Sequence, residues 1–250
     1  VIADPVFYAL AIPAVVLMGL AKGGFSGVGA VSMPLLALAV SPVQAAAILL
    51  PILIVQDAVS VWAFRRDWDR RILVIMIPGA AVGILGGYLL AAQVSAAAVL
   101  GVLGAISIVF AVHRLWLMRG GRVQAPASSS VVVGAAFGAV SGFTSQIAHA
   151  GGPPFQMWVL PRGLPPKTLV GTTAIFFAII NWLKVPAYAA LGQFTPQNLA
   201  AVAALLPVAI ASTFAGVWLV KRVQAERFYV LIYGLMIPVG AHLIWKAFAT

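Results

Sequence analysis

The chain has 250 residues, 63% of them hydrophobic and 8% charged, with a net charge of +10 and no cysteine. A mean hydropathy of +1.08 and so little charge exclude a soluble domain, whose surface would need about three times as many charged side chains. The missing cysteines exclude a disulfide framework, a thiolate metal site and a cysteine nucleophile.

In chain order, the opening Val1-Ile-Ala-Asp4-Pro5 lacks a basic region and a small-residue cleavage site, which predicts no removable signal peptide. An apolar stretch then runs into Gly19-Leu-Ala-Lys22-Gly-Gly-Phe-Ser26-Gly-Val-Gly-Ala-Val-Ser32-Met-Pro34, where glycine, proline and polar side chains interrupt it. Apolar runs follow at 43–64, 72–92 and 94–112. A polar stretch at 119–130 precedes a second interrupted segment, Gly138-Ala-Val-Ser141-Gly-Phe-Thr144-Ser-Gln146-Ile-Ala-His149-Ala-Gly-Gly-Pro153-Pro154. Three more apolar runs, 169–191, 199–220 and 228–245, complete the chain. Each full run approaches or exceeds the roughly 20 residues that cross a hydrocarbon core as helix. Barrel-type alternation is absent, so an all-α polytopic integral membrane protein is predicted. The basic residues sit in the short links, as membrane topology requires, which argues against nucleic acid as the reason for the positive charge.

Landmarks recur along the chain. Gly19 and Pro34 return 119 positions later as Gly138 and Pro153; Pro42 and Asp57 return after 124 as Pro166 and Asn181. Pro78 and Gly87 return after 129 as Pro207 and Gly216. The small drift is what loop insertions in a duplication give. We read one membrane domain, 1–250, built from repeat one (1–117), a link (118–129) and repeat two (130–250). In repeat one the links at 41–42, 65–71, 93–95 and 114–122 are uncharged, basic, uncharged and basic; the matching links in repeat two have the opposite order. Lys and Arg mark cytoplasmic links, so the repeats are predicted to be inverted, with both termini periplasmic. Residues 6–40 and 130–160 must then each enter and return on one side. With about 22 and 16 Å of helix in the two limbs of the first, each is expected to be a re-entrant or broken-helix hairpin, followed by three transmembrane helices.

Paired interruptions of this kind point to a transporter's substrate site. Half-helices returning from opposed tips would aim positive dipole ends and unpaired N–H groups at one central point, an anion cradle. The candidate substrate-binding residues are Lys22, Gly23, Gly24, Ser26, Gly27 and Ser32 from the first tip. Ser141, Thr144, Ser145, Gln146, His149, Gly151 and Gly152 are those from the second. The glycines would let the backbone approach a ligand, or else serve tight helix packing. The hydroxyls and amides would donate to oxyanion oxygens, or else cap helices. Lys22 faces an anion, snorkels, or pairs with Asp57. Asp57, with Asn181 in its place in repeat two, is the candidate for proton coupling, the alternative being an ion pair with Lys22 or Arg65. His149 reads as proton relay, ligand or packing group. Lys184 reads as a guard of the outer mouth or a snorkelling side chain.

The first tip motif, its looser copy ending in Gly151-Gly152-Pro153, and the helix carrying Pro78, Gly83 and Gly87 resemble the sulfite exporter TauE/SafE family of bacterial permeases over essentially the whole chain. The resemblance implies passage of sulfite, sulfoacetate and related sulfur-containing anions across the inner membrane, driven by ion gradients without ATP, and carries over Lys22, Gly23, Gly24 and Pro34. Ser141 stands where a second lysine would be, so two symmetric cations are not expected. The partners are then the small anion, membrane lipid and, for coupling, protons; an oligomer is compatible, and no cofactor, metal or nucleic acid is expected. Two other readings compete. A cation carrier would use Asp57, Asn181 and backbone carbonyls. An intramembrane serine protease would use Ser26 in Gly24-Phe-Ser26-Gly27 with His149, although a protease site gives no reason for duplicating the chain; an enzyme is not expected.

Overall fold

The computed structural model describes residues 4–25, 27–91, 93–120, 130–220, 222 and 226–249. Every regular element among them is helical: α1 Pro5–Lys22, α2 Ser32–Leu36, α3 Pro42–Phe64, α4 Arg70–Ala91, α5 Ala96–Met118, α6 Val131–Ala148, α7 Gly152–Val159, α8 Pro166–Ala190, α9 Pro196–Leu219 and α10 Glu226–Ala249. Single 3-10 turns at Val28–Val31 and Leu160–Arg162 adjoin α2 and α7. Eight helices are long and apolar enough to cross a membrane, all except α2 and α7.

The sequence writes the helix starts plainly. A short polar side chain precedes the first turn and accepts a backbone N–H, as Asp4 does from Val6, Ser41 from Gln44, Ser95 from Ala98, Ser130 from Val132 and Thr195 from Asn198. Proline follows the cap in α1, α3 and α9, where its fixed φ suits the first helical position and its lacking N–H costs nothing.

Both interrupted segments are hairpins, with unequal limbs. The outgoing limbs, α1 and α6, have 18 residues each, about 27 Å of helix. That is longer than the roughly 22 Å expected for the first limb and close to the thickness of a hydrocarbon core, while the returning limbs are short. α2 has 5 residues and α7 has 8. Chain breaks between the limbs follow from local chemistry. Gly24 and Gly27 take φ of +133° and +94°, a region open to glycine at no steric cost. At the second tip a non-glycine residue, His149, does so with φ +50°.

The helices pair across the two halves of the chain: α1 with α9, α4 with α6, α5 with α10, and α3 with α8 and α9. Glycines make the closest crossings. A Cβ on Gly83 would stand 1.9 Å from the Ala139 carbonyl oxygen, and one on Gly142 2.1 Å from that of Ala80. At the α1/α9 crossing a Cβ on Gly23 would meet the Gly216 backbone at 2.5 Å. In lipid, close approach of this sort replaces the hydrophobic drive between helices. Gly83→Ala should therefore destabilise the α4/α6 pair by about 1–3 kcal/mol through overpacking, seen as a lower midpoint of thermal unfolding in detergent, whereas Gly234→Ala, with no atom within 4 Å of its Cβ position and no positive φ, should leave the midpoint unchanged.

Candidate functional site

The two tips and the middle of α3, α5, α8 and α10 enclose a cavity of about 110 Å³. One water needs roughly 10–15 Å³ of such space, so a small polyatomic ion fits. Apolar side chains such as Met18, Leu53, Leu103 and Met236 form much of the wall. The polar lining comes from Lys22, Ser107, Ser145, His149, Gln156, Thr173 and Asn181, with backbone at Gly27, Gly29 and Gly152.

Two polar clusters border it. In the first, the Lys22 ammonium at the end of α1 pairs with Asp57 of α3, whose other oxygen accepts from Asn181 Nδ2 at 2.6 Å. Lys22 Nζ also lies 5.0 Å from the centre of the Phe177 ring, a cation–π contact. Ser60 donates to the Lys22 carbonyl oxygen at 2.6 Å, closing the exposed end of α1. The side chain of Lys22 is 12% exposed and that of Asp57 2%, so this pair is interior, with Lys22 toward the cavity. Of the three readings given for Lys22, the pair with Asp57 is present, and the same side chain lines the cavity.

The second cluster centres on Lys184 of α8. Lys184 is fully buried, which corrects its reading as a mouth guard or snorkelling side chain. Its Nζ lies 2.7 Å from His149 Nδ1, 3.0 Å from Ser145 Oγ and 3.3 Å from the Ser145 carbonyl oxygen. The other ring nitrogen, His149 Nε2, lies 2.8 Å from the Ala46 carbonyl oxygen. A carbonyl only accepts, so Nε2 carries the proton and Nδ1 accepts from Lys184. The Tyr188 ring stacks on His149 with centroids 6.0 Å apart, and its hydroxyl donates to the Gln146 carbonyl oxygen at 2.9 Å. His149 occupies the left-handed position just past α6: its N–H bonds to Ser145 O, and that of Ala150 to Thr144 O. The first is the 5→1 bond of an αL cap, whose left-handed residue is usually glycine. Histidine there bears a backbone cost of about 1 kcal/mol, offset by the two contacts of its ring.

Hydrogen-bond direction decides which groups have a donor to give. The hydroxyl protons of Ser107 and Thr173 go to the carbonyls of Leu103 and Leu169. Ser141 gives its proton to Gly151 O, and Thr144 to Val140 O. These four groups have no proton left for an anion. Ser145 accepts from Lys184 and has no acceptor of its own among the described residues, so its O–H is free. Gln156 of α7 lines the cavity and is 6% exposed; its Oε1, an acceptor, is buried without a hydrogen-bond partner among the described residues, and its donors are those of Nε2. The second N–H of Asn181 is also available.

Of the residues singled out in the sequence, Lys22, Gly27, Ser145, His149, Gly152 and Asn181 line the cavity, with Asp57 directly behind. Gly23 serves the α1/α9 crossing and Gly24 lies against Val220. Gly151 lies against Ser141, Ser32 is fully buried, and Gln146 lines a separate pocket near Tyr188. Ser26 lies outside the described residues. The cradle of opposed helix ends is weaker than expected. Pro153 and Pro154 in the first turn of α7 have no N–H, the N–H of Phe155 is taken by Gly151 O, and α2 is barely one turn long. Side chains carry most of the polarity instead. Sequence reasoning passed over Gln156 and underrated Lys184. A signal for Lys184 exists: Asn181, Lys184 and Tyr188 fall at helical spacing on one face of α8.

A family model described as Sulfite exporter TauE/SafE matches residues 11–243, nearly the whole chain. The chain belongs to the TauE/SafE family. This is a family of membrane transporters for sulfur-containing anions such as sulfite, and the resemblance carried by the tip motifs is thereby borne out. No curated protein and no solved structure matches the chain.

Proposed function

We propose that this TauE/SafE protein is a secondary transporter of the bacterial inner membrane that carries sulfite, sulfoacetate or a related sulfonate through the central cavity by alternating access. The observation that carries this reading is the donor set: one ammonium, one free hydroxyl and two amides converge on a space of about 110 Å³. The one acid nearby, Asp57, already has both oxygens engaged. A small oxyanion needs donors around it; a cation carrier would need carboxylate or carbonyl oxygens turned inward, and those of Asp57 are occupied.

Alternating access is supported by how the helices pair. Exchanging the two halves of the chain turns α1 with α9 into α6 with α4, and leaves α5 with α10 and α3 with α8 unchanged. This is the pattern of two repeats related by a two-fold axis, and the opposite order of basic links supports inversion, with both termini periplasmic. The cavity lies between the two, so rocking one repeat against the other would open it to each side in turn. Coupling is assigned to Asp57 with Asn181: a proton taken up by Asp57 would loosen its pair with Lys22 and so link the pH gradient to the anion site.

The test is flux into proteoliposomes of sulfite, sulfoacetate and chloride, with and without an imposed pH gradient. Sulfite or sulfoacetate should enter faster than chloride, and a gradient should accelerate entry from the acidic side. Equal rates for all three anions, or no protein-dependent flux, would remove this reading.

A further inference from the structure

Lys184 is a buried basic group that the scheme above does not use. Its side chain is fully buried. Among the described residues no carboxylate bonds to it directly: Asp57 acts on it only through space, its oxygens being engaged by Lys22 and Asn181. A buried lysine with no direct ion-pair partner is costly, and a ligand can supply the missing charge. Its two side-chain neighbours, Ser145 and His149, are the groups that separate it from the cavity, and both line the wall. Their polarity runs outward from it: Lys184 donates to Ser145 Oγ, and the Ser145 hydroxyl proton is then left to point at whatever occupies the cavity.

From this arrangement we infer that Lys184 is the second anion anchor, acting on the cargo through the Ser145 hydroxyl, and that it sets the cargo's charge at one net negative. The inference rests on the anion-transport reading given above. The charged and titratable groups around the space are Lys22 from α1, Asp57 from α3, His149 beyond α6, and Lys184 and Tyr188 from α8. Lys22 and Asp57 cancel, His149 is held in its Nε2–H form by Ala46 and accepts at Nδ1, and Tyr188 is a hydrogen-bond donor. With Asp57 ionised and paired to Lys22, as in the structure, and Lys184 as ammonium, the wall contributes one uncompensated positive charge. A monoanion closes the balance; a dianion leaves a buried negative charge that nothing on the wall offsets. The lysine absent from the second tip, where Ser141 stands, is in this sense supplied from α8.

The test uses the full chain in proteoliposomes, with labelled sulfite uptake measured against unlabelled methanesulfonate, a fixed monoanion, and sulfate, a dianion. In the wild type methanesulfonate should compete at least about tenfold more strongly than sulfate. Lys184→Met should lower uptake by about 100-fold and flatten that preference, an outcome that a loss of packing alone would not give. If Lys184→Met does not fold, Ser145→Ala decides: its KM for sulfite should rise about tenfold with little change in maximal rate. Equal competition by sulfate in the wild type overturns the charge assignment. A folded Lys184→Met with uptake within about twofold of wild type, or Ser145→Ala with an unchanged KM, overturns the anchor while leaving anion transport standing. A wild type that takes up no sulfite overturns both.

Discussion

Lys22→Ala is expected to lower sulfite uptake by about 10–100-fold, the loss of one charge-assisted contact of about 1.5–3 kcal/mol. The ammonium ends α1 at the cavity wall, with its partner Asp57 behind it and the Phe177 ring beside it. One N–H serves Asp57, and an ammonium has three; the others are available to a ligand without breaking the pair. Uptake at saturating and subsaturating sulfite should show whether the loss falls in KM, as for a binding contact, or in maximal rate. The variant also strands the Asp57 carboxylate, though Asn181 Nδ2 still donates to it at 2.6 Å, so Lys22→Gln, which retains a donor at a similar reach, is the better-behaved companion. Wild-type uptake in a folded Lys22→Gln would show that the lysine serves only the ion pair.

Asp57 carries the second large effect, because two roles meet there. Asp57→Ala leaves Lys22 without its counter-charge in an interior where its side chain is 12% exposed, and removing one partner of a buried pair costs about 3–5 kcal/mol. The double variant Lys22→Met with Asp57→Leu should recover most of that stability, since an apolar pair of similar volume often replaces a buried ion pair without loss, yet it should not recover transport. Asp57→Asn separates structure from coupling. The amide keeps an acceptor for Lys22 but cannot take up a proton, so uptake should persist at a reduced rate and no longer respond to a pH gradient. An Asp57→Asn protein that still accelerates with the gradient would move coupling away from this residue. The thermal midpoint in detergent and the ratio of uptake with and without the gradient are the two readings needed.

Much of the molecule was legible in its sequence because lipid leaves the backbone few choices. A long apolar run with no exposed edge has to be helix, so the six full spans follow from composition and length alone, and the Ser, Thr and Asp caps at Asp4, Ser41, Ser95, Ser130 and Thr195 place several starts within a residue. The two tips were legible for a similar reason: Gly23, Gly24 and Gly27 beside Lys22, and Ser145 and His149 before Gly151 and Gly152, are residues that no plain span would need. What the sequence could not determine is which of these side chains turn toward one another. Gly23 reads as a ligand-approach or a packing glycine until its crossing with Gly216 of α9 appears, and that partner lies far away along the chain. Lys184, beside Trp182 and Leu183 in the sequence, looks like a side chain bound for the interface. Only the packing of α8 against α3 and the end of α6 brings His149 and Ser145 to its nitrogen. Local patterns determine helices because helical hydrogen bonds are local; the direction of a donor, and so the charge the cavity presents, depends on contacts between helices that only the tertiary structure supplies.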